Sequence, residues 1–149
     1  MAGSLGDHVL YVATALPDDD PELRRRVRLH RERRPAAWGT VEAGDLGRVP
    51  GEAGRWDAVL LDSLTLWVSA RLYAVGEGET LAAFGGFLDE ISALPTPLVL
   101  VSDEVGLGVV PESAEGRAFR DLLGSVNQRA AAEAGEVHLC VAGIGVRIK

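Results

Sequence analysis

Lysine is almost missing from this chain: of its 15 lysine and arginine residues, only Lys149 at the C-terminus is lysine. That excludes a G-x-x-x-x-G-K-[ST] phosphate loop within these 149 residues, because no ammonium group is left to meet a terminal phosphate there. Cysteine is equally scarce. The single Cys140 excludes a disulfide within the chain and fits a reducing, cytoplasmic setting. No apolar run is long enough to span a bilayer, and the opening MAGSLGDHVLYVA lacks the basic start of a secretory signal, so no membrane insertion is expected. Positive charge is also in deficit. A formal charge of -7 argues against general nucleic-acid binding. An apolar fraction of 47% in 149 residues indicates one globular domain, residues 1–149, with a substantial core.

The arginines that are present are not spread evenly. Arg24–Arg34 holds seven of them against one Glu, so the rest of the chain stands at -13. An arginine island in an acidic protein marks one localised site for phosphate or carboxylate. His30 at its centre adds a nucleophile or proton carrier effective near neutral pH. Asp20 as N-cap, Pro21 at the first helical position and Glu22 near the positive dipole end predict a helix that Pro35 stops. At about 100° per residue, Leu23, Val27 and His30 share a stripe, which turns His30 toward the protein body with guanidinium groups around it. On spacing alone the other reading, a hydrogen-bonded core histidine on a solvated, arginine-rich helix, is the one favoured.

Four apolar runs read as buried strands of a parallel sheet: His8–Ala13, Asp57–Asp62, Pro97–Ser102 and Glu136–Ala142, with a short last strand at Val146–Lys149. Helical patterns at Leu64–Val75, Leu81–Leu94 and Ala114–Ala134 alternate with them, which predicts a three-layer α/β domain. Gly44–Arg55 reads as a surface loop or a ragged short helix. Ligands of open α/β sheets bind beyond the C-terminal strand ends, here Thr14–Asp20, Asp62–Thr65 and Asp103–Glu112. Asp62 at a strand tip suits Mg²⁺ coordination through water or, equally, an N-cap for the following helix. Asp103 and Glu104 open the loop DEVGLGVVP, either as ligand contacts or as solvated turn residues.

Several stretches in collinear order carry a resemblance: VLYVATA (Val9–Ala15), the R-V-x-x-H-R-x-x-R-P-x-x-W pattern of Arg26–Trp38, and TVEAGDL (Thr40–Leu46). VLLDSLTLWVSARL (Val59–Leu72), LVLVSDEVGLGVVPES (Leu98–Ser113) and the ending from Phe119 to Lys149 continue it. Over nearly its whole length the chain resembles the bifunctional adenosylcobinamide kinase/adenosylcobinamide-phosphate guanylyltransferases of cobalamin biosynthesis. The resemblance implies a P-loop NTPase-like (RecA-like) α/β fold and a homotrimer. It implies phosphorylation of adenosylcobinamide by a nucleoside triphosphate, ATP or GTP, with Mg²⁺. Transfer of GMP from GTP to adenosylcobinamide phosphate through a guanylyl-histidine then follows. It implies His30 as the guanylylated residue, with Thr14, Ala15, Leu16, Arg31, Glu32, Arg33, Arg34, Glu42 and Asp62 at the GTP and Glu104 as a loop contact.

Two local departures from the family pattern are Ser63, where Cys is common, and Asp103, where Asn or a similar residue stands. The larger departure is at the front. The first strand, the phosphate loop and the first helix of the family pattern are missing ahead of Val9, so the expectation is a domain truncated relative to the family, with kinase activity in doubt. The alternatives are a catalytically impaired relic that binds nucleotide or serves assembly, and an unrelated arginine-rich anion-binding α/β module.

Overall fold

The computed structural model describes residues 6–14 and 21–149. The expected Asp20 cap, the Ala15 and Leu16 contacts and the side chain of Leu23 lie outside the described residues. The elements are β1 (Val9–Ala13), α1 (Pro21–Glu32), β2 (Gly39–Glu42), a 3₁₀ turn at Leu46–Arg48, α2 (Val49–Ala53), β3 (Ala58–Asp62) and α3 (Leu64–Val75). They continue with α4 (Glu77–Ser92), β4 (Leu98–Val101), α5 (Ala114–Glu133), β5 (His138–Val141) and β6 (Ile144–Arg147).

Four strands form one parallel sheet in the order β2-β1-β3-β4. The register sets Ala13 beside both Glu42 and Asp62, so the acid-bearing tips of β2 and β3 flank the end of β1. Side chains alternate across the sheet with period two. Leu10, Val12, Val59, Leu61, Leu98 and Leu100 turn to one face, where they meet Leu46, Val49, Trp67, Phe84, Phe87, Leu122 and Val126 in the main core. Trp67 and Phe84 are tilted rings 5.9 Å apart, with Phe87 another 6.2 Å on. Each such fully buried large side chain contributes about 1.5–3 kcal/mol. The opposite face holds a smaller cluster of Val9 and Ala58 with Trp38, Leu60 and Val99, while Val101 on β4 stays exposed. The α/β layering expected from the sequence is therefore present but unequal: among the described residues, α1 and the turn after it are what approach this second face near Tyr11 and Asp62.

At three places the structure corrects, narrows or extends the reading of the sequence. Glu136–Ala142 is not a buried strand of the main sheet. β5 and β6 form a separate antiparallel hairpin, closed by Ala142 and Gly143 at φ 52° and 78°, the positive values a tight two-residue hairpin turn requires. Cys140, Val141, Ile144 and Val146 are exposed on it. Lys149 Nζ donates to the carbonyls of Ala131 and Ala132 at 2.8 and 3.0 Å, seating the only lysine on the negative end of α5. Second, Gly44–Arg55 takes the short-helix alternative, as the 3₁₀ turn and α2, and contributes Leu46, Val49 and Ala53 to the core. Third, β2 is an additional strand. Its first residue is glycine because the Trp56 ring crosses the backbone there, 2.1 Å from where a Cβ would stand.

Candidate functional site

The site forms where α1 meets the C-terminal ends of β1, β2 and β3. A buried side-chain contact ties the tips of β1 and β3 together. The Thr14 hydroxyl accepts from the Ser63 N–H at 2.8 Å and donates to the Ser63 carbonyl at 2.7 Å. The Asp62–Ser63 peptide is cis. Ser63, not Asp62, caps α3, its hydroxyl accepting from the Leu66 N–H, so the capping reading of Asp62 is overturned. That leaves the Asp62 carboxylate free of the helix end and facing α1.

His30 sits on the last turn of α1 with its side chain 60% exposed, which rules out a core histidine and corrects the expectation of an inward-turned ring. Its Nδ1 nevertheless lies 3.9 Å from Asp62 Oδ2. The same carboxylate oxygen accepts a hydrogen bond from the Tyr11 hydroxyl at 2.5 Å. The Arg34 guanidinium lies over the Tyr11 ring, 3.3 Å from its centroid, and its Nη1 donates to Thr40 Oγ1 at 3.0 Å. Among the described residues its Nε is buried without a hydrogen-bond partner. Burial first, then the hydrogen bond to Asp62 and its charge, push the Tyr11 hydroxyl up to about 12, against a smaller lowering by Arg34. Tyr11 is thus a neutral donor at any working pH.

The remaining expected residues divide. Arg31 pairs with Glu42 across the gap between α1 and β2. Together with Arg34, Trp38 and Thr40 they line a cleft of about 680 Å³. That volume falls in the range of small-molecule sites, roughly 300–1,000 Å³. Glu32 turns back along its own helix, 3.8 Å from Arg28, and Arg33 is exposed. Thr14 is buried and its hydroxyl is spent on Ser63, so it shapes the site from beneath. Glu104 accepts from the Gly106 N–H at 2.6 Å, the solvated turn role. The backbone of Asp103 is held from both sides, its N–H by Thr65 Oγ1 and its carbonyl by Asn127 Nδ2.

Among the described residues no group of three or more His, Cys, Asp and Glu could hold an ion. Asp62 is, among the described residues, the carboxylate facing His30, with one oxygen engaged by Tyr11.

Sequence reasoning missed Tyr11. Within VLYVA it reads as one more core aromatic, and only the register, which puts it on the same sheet face as Asp62, reveals the contact.

Residues 1–148 match the family of cobinamide kinase / cobinamide phosphate guanyltransferase. The chain belongs to this family. It is 40% identical over 162 residues to the bifunctional adenosylcobalamin biosynthesis protein CobU of Salmonella typhimurium, covering 97% of this chain and 89% of that protein. The Escherichia coli protein of the same name gives the same identity and coverage. To the bifunctional adenosylcobalamin biosynthesis protein CobP of Pseudomonas aeruginosa it is 37% identical over 154 residues, covering 100% of this chain and 87% of that one. The mostly parallel sheet with its flanking helices is consistent with the P-loop NTPase-like fold of the cobinamide kinase/guanyltransferase family. No helix among the described residues is long and apolar enough to cross a membrane.

Proposed function

We propose that this chain acts in cobalamin biosynthesis as a nucleotidyltransferase that moves GMP from GTP to adenosylcobinamide phosphate through a guanylyl-histidine at His30. The observation that carries this reading is the meeting of three features: a solvent-accessible imidazole, a carboxylate facing its Nδ1, and an adjoining cleft edged by guanidinium groups. A proton held on Nδ1 toward Asp62 leaves the Nε2 lone pair outward as nucleophile. That lone pair attacks the α-phosphorus of GTP, the bond to the bridging oxygen of the β-phosphate breaks, and pyrophosphate departs with the electron pair. Asp62 stabilises the positive charge that the ring gains. In the second half, a phosphate oxygen of adenosylcobinamide phosphate attacks the same phosphorus. The phosphorus–Nε2 bond breaks and its electrons return to a neutral imidazole, giving adenosylcobinamide-GDP.

Arg31 and Arg34 offset charge building on the phosphate oxygens. Trp38 offers a flat face for the base, and Glu42 an acceptor for its N–H edge once Arg31 swings to phosphate. Mg²⁺ enters with the triphosphate. ATP or GTP as phosphate donor for a kinase step, a homotrimeric assembly and a cytoplasmic location belong to the same reading.

Incubation with α-labelled GTP and Mg²⁺ should leave an acid-labile, base-stable adduct on the protein, and His30→Ala should abolish it. Adduct surviving in that variant would overturn the assignment. His8, paired with Asp57, and His138, paired with Glu136, are the internal controls. A second reading, an impaired relic that binds nucleotide or supports assembly, draws on one fact: the 149 residues contain no lysine-bearing phosphate loop. Absence of adduct on the parent chain, together with rescue of a full-length relative in mixed oligomers, would favour it.

A further inference from the structure

We propose that Tyr11 is the positioning residue of this site: its hydroxyl holds the Asp62 carboxylate at the angle that fixes the Nδ1–H tautomer of His30. The proposal rests on the reading of His30 as nucleophile and adds the group that orients it. Tyr11 lies two residues before the end of β1, and Asp62 ends the neighbouring strand β3 beside Ala13. The two side chains are therefore diagonal neighbours on one sheet face, a separation that a tyrosine spans and a shorter residue does not. Tyr11 is buried at 6% exposure, so its ring is fixed by packing before any ligand arrives.

The hydroxyl and the imidazole converge on the same oxygen, Asp62 Oδ2. A carboxylate at the mouth of a cleft, held by no backbone N–H among the described residues, otherwise rotates freely about its last torsion. It would turn toward whichever cation is nearest. Two arginines line the adjoining cleft, and both are occupied. Arg31 is taken by Glu42, and Arg34 is spread over the Tyr11 ring and bonded to Thr40. The ring of Tyr11 thus parks one guanidinium while its hydroxyl pins the carboxylate. Removing the hydroxyl alone leaves the parking face intact and frees the carboxylate, which separates the two roles.

The test is Tyr11→Phe in the full chain, read by the nitrogen-15 shifts of the His30 ring. In the parent the Nδ1–H form should dominate. In Tyr11→Phe the population should move toward the Nε2–H form, and the adduct-forming rate at saturating GTP should fall about tenfold or more, the worth of one hydrogen bond to a charged group, with GTP affinity little changed. An unchanged tautomer in a folded Tyr11→Phe chain overturns the proposal. Should that variant fail to fold, 3-fluorotyrosine at position 11 decides: it keeps the donor, so retention of the Nδ1–H form supports the assignment and its loss refutes it. A tautomer that responds to Tyr11 in a parent that never forms adduct would uphold the positioning role and sink the guanylylation reading. The two claims can therefore fail separately.

Discussion

Thr14→Val is the most exacting test of how this site is built, because it changes one hydroxyl and nothing in outline. Thr14 is 2% exposed, and its Oγ1 serves both the N–H and the carbonyl of Ser63. The carbonyl keeps a second donor, the Trp67 N–H at 3.3 Å, so its loss is partial. The N–H has no such reserve and becomes an orphaned buried donor, at about 1–3 kcal/mol, while the lost donation to the carbonyl adds about 0.5–1.5 kcal/mol. The extra buried methyl of valine returns less than about 1 kcal/mol. The net expectation is a destabilisation of about 2–3 kcal/mol, which in a domain of this size lowers the melting temperature by roughly 4–12 °C. Thr14→Ser keeps the hydroxyl and gives up one methyl, about 1 kcal/mol. Urea titration of parent, Thr14→Ser and Thr14→Val under one buffer measures both differences, with a common slope confirming a common unfolded state. A valine variant as stable as the serine variant would refute the claim that this hydroxyl locks the tips of β1 and β3.

Other outcomes follow from the same geometry. Asp62→Asn should weaken GTP binding about tenfold, close to 1.4 kcal/mol, yet leave the melting temperature nearly unchanged because Ser63 carries the α3 cap; equal affinity by calorimetry would remove Asp62 from the nucleotide site. The 149-residue chain should show no measurable adenosylcobinamide kinase activity, since two missing charge-assisted bonds at about 1.5–3 kcal/mol each weaken triphosphate binding on the order of 100-fold or more. A family-type strand, loop and helix added ahead of Val9 should restore it, and turnover without that addition would show another group holding the phosphates. In a Tyr73→Phe background, the phenolate absorbance of Tyr11 should rise only near pH 12. Because the folded value lies above the ordinary 10.0, the stabilising contribution of this protonated hydroxyl is complete below pH 10 and disappears as pH climbs through about 12; an ordinary titration curve in the folded protein would contradict its burial against Asp62.

Much of the architecture was legible because local signals and burial agreed. α3 was read at its observed bounds, Leu64–Val75, since an apolar helical pattern follows directly on the strand-ending Asp62–Ser63. β1, β3 and β4 announced themselves as apolar runs flanked by polar residues. α4 begins four residues before the expected Leu81 because its first turn, Glu77–Thr80, carries acids that suit the helix dipole and shows no apolar rhythm. β2 escaped notice because GTVE is a short edge strand with alternating burial. HLCV looked buried by composition, but hydropathy does not distinguish a sheet interior from an exposed hairpin. At the site, the charge anomaly pointed to His30, Arg31 and Arg34, whereas Tyr11 required the pairing register to be known.

The hairpin of β5 and β6 gives the molecule two tiers of persistence. Two strands alone are marginal in water, and β6 buries none of its four residues. One tie that holds the pair to the rest of the fold is the ammonium group of Lys149 on the end of α5. Amide protons of the hairpin will therefore trade with solvent through local opening, while those of β1 and β3 wait for global unfolding. Acylating one ε-amine would loosen this whole tier at once, and in a protein with no other lysine such a reagent has nowhere else on a side-chain amine to go.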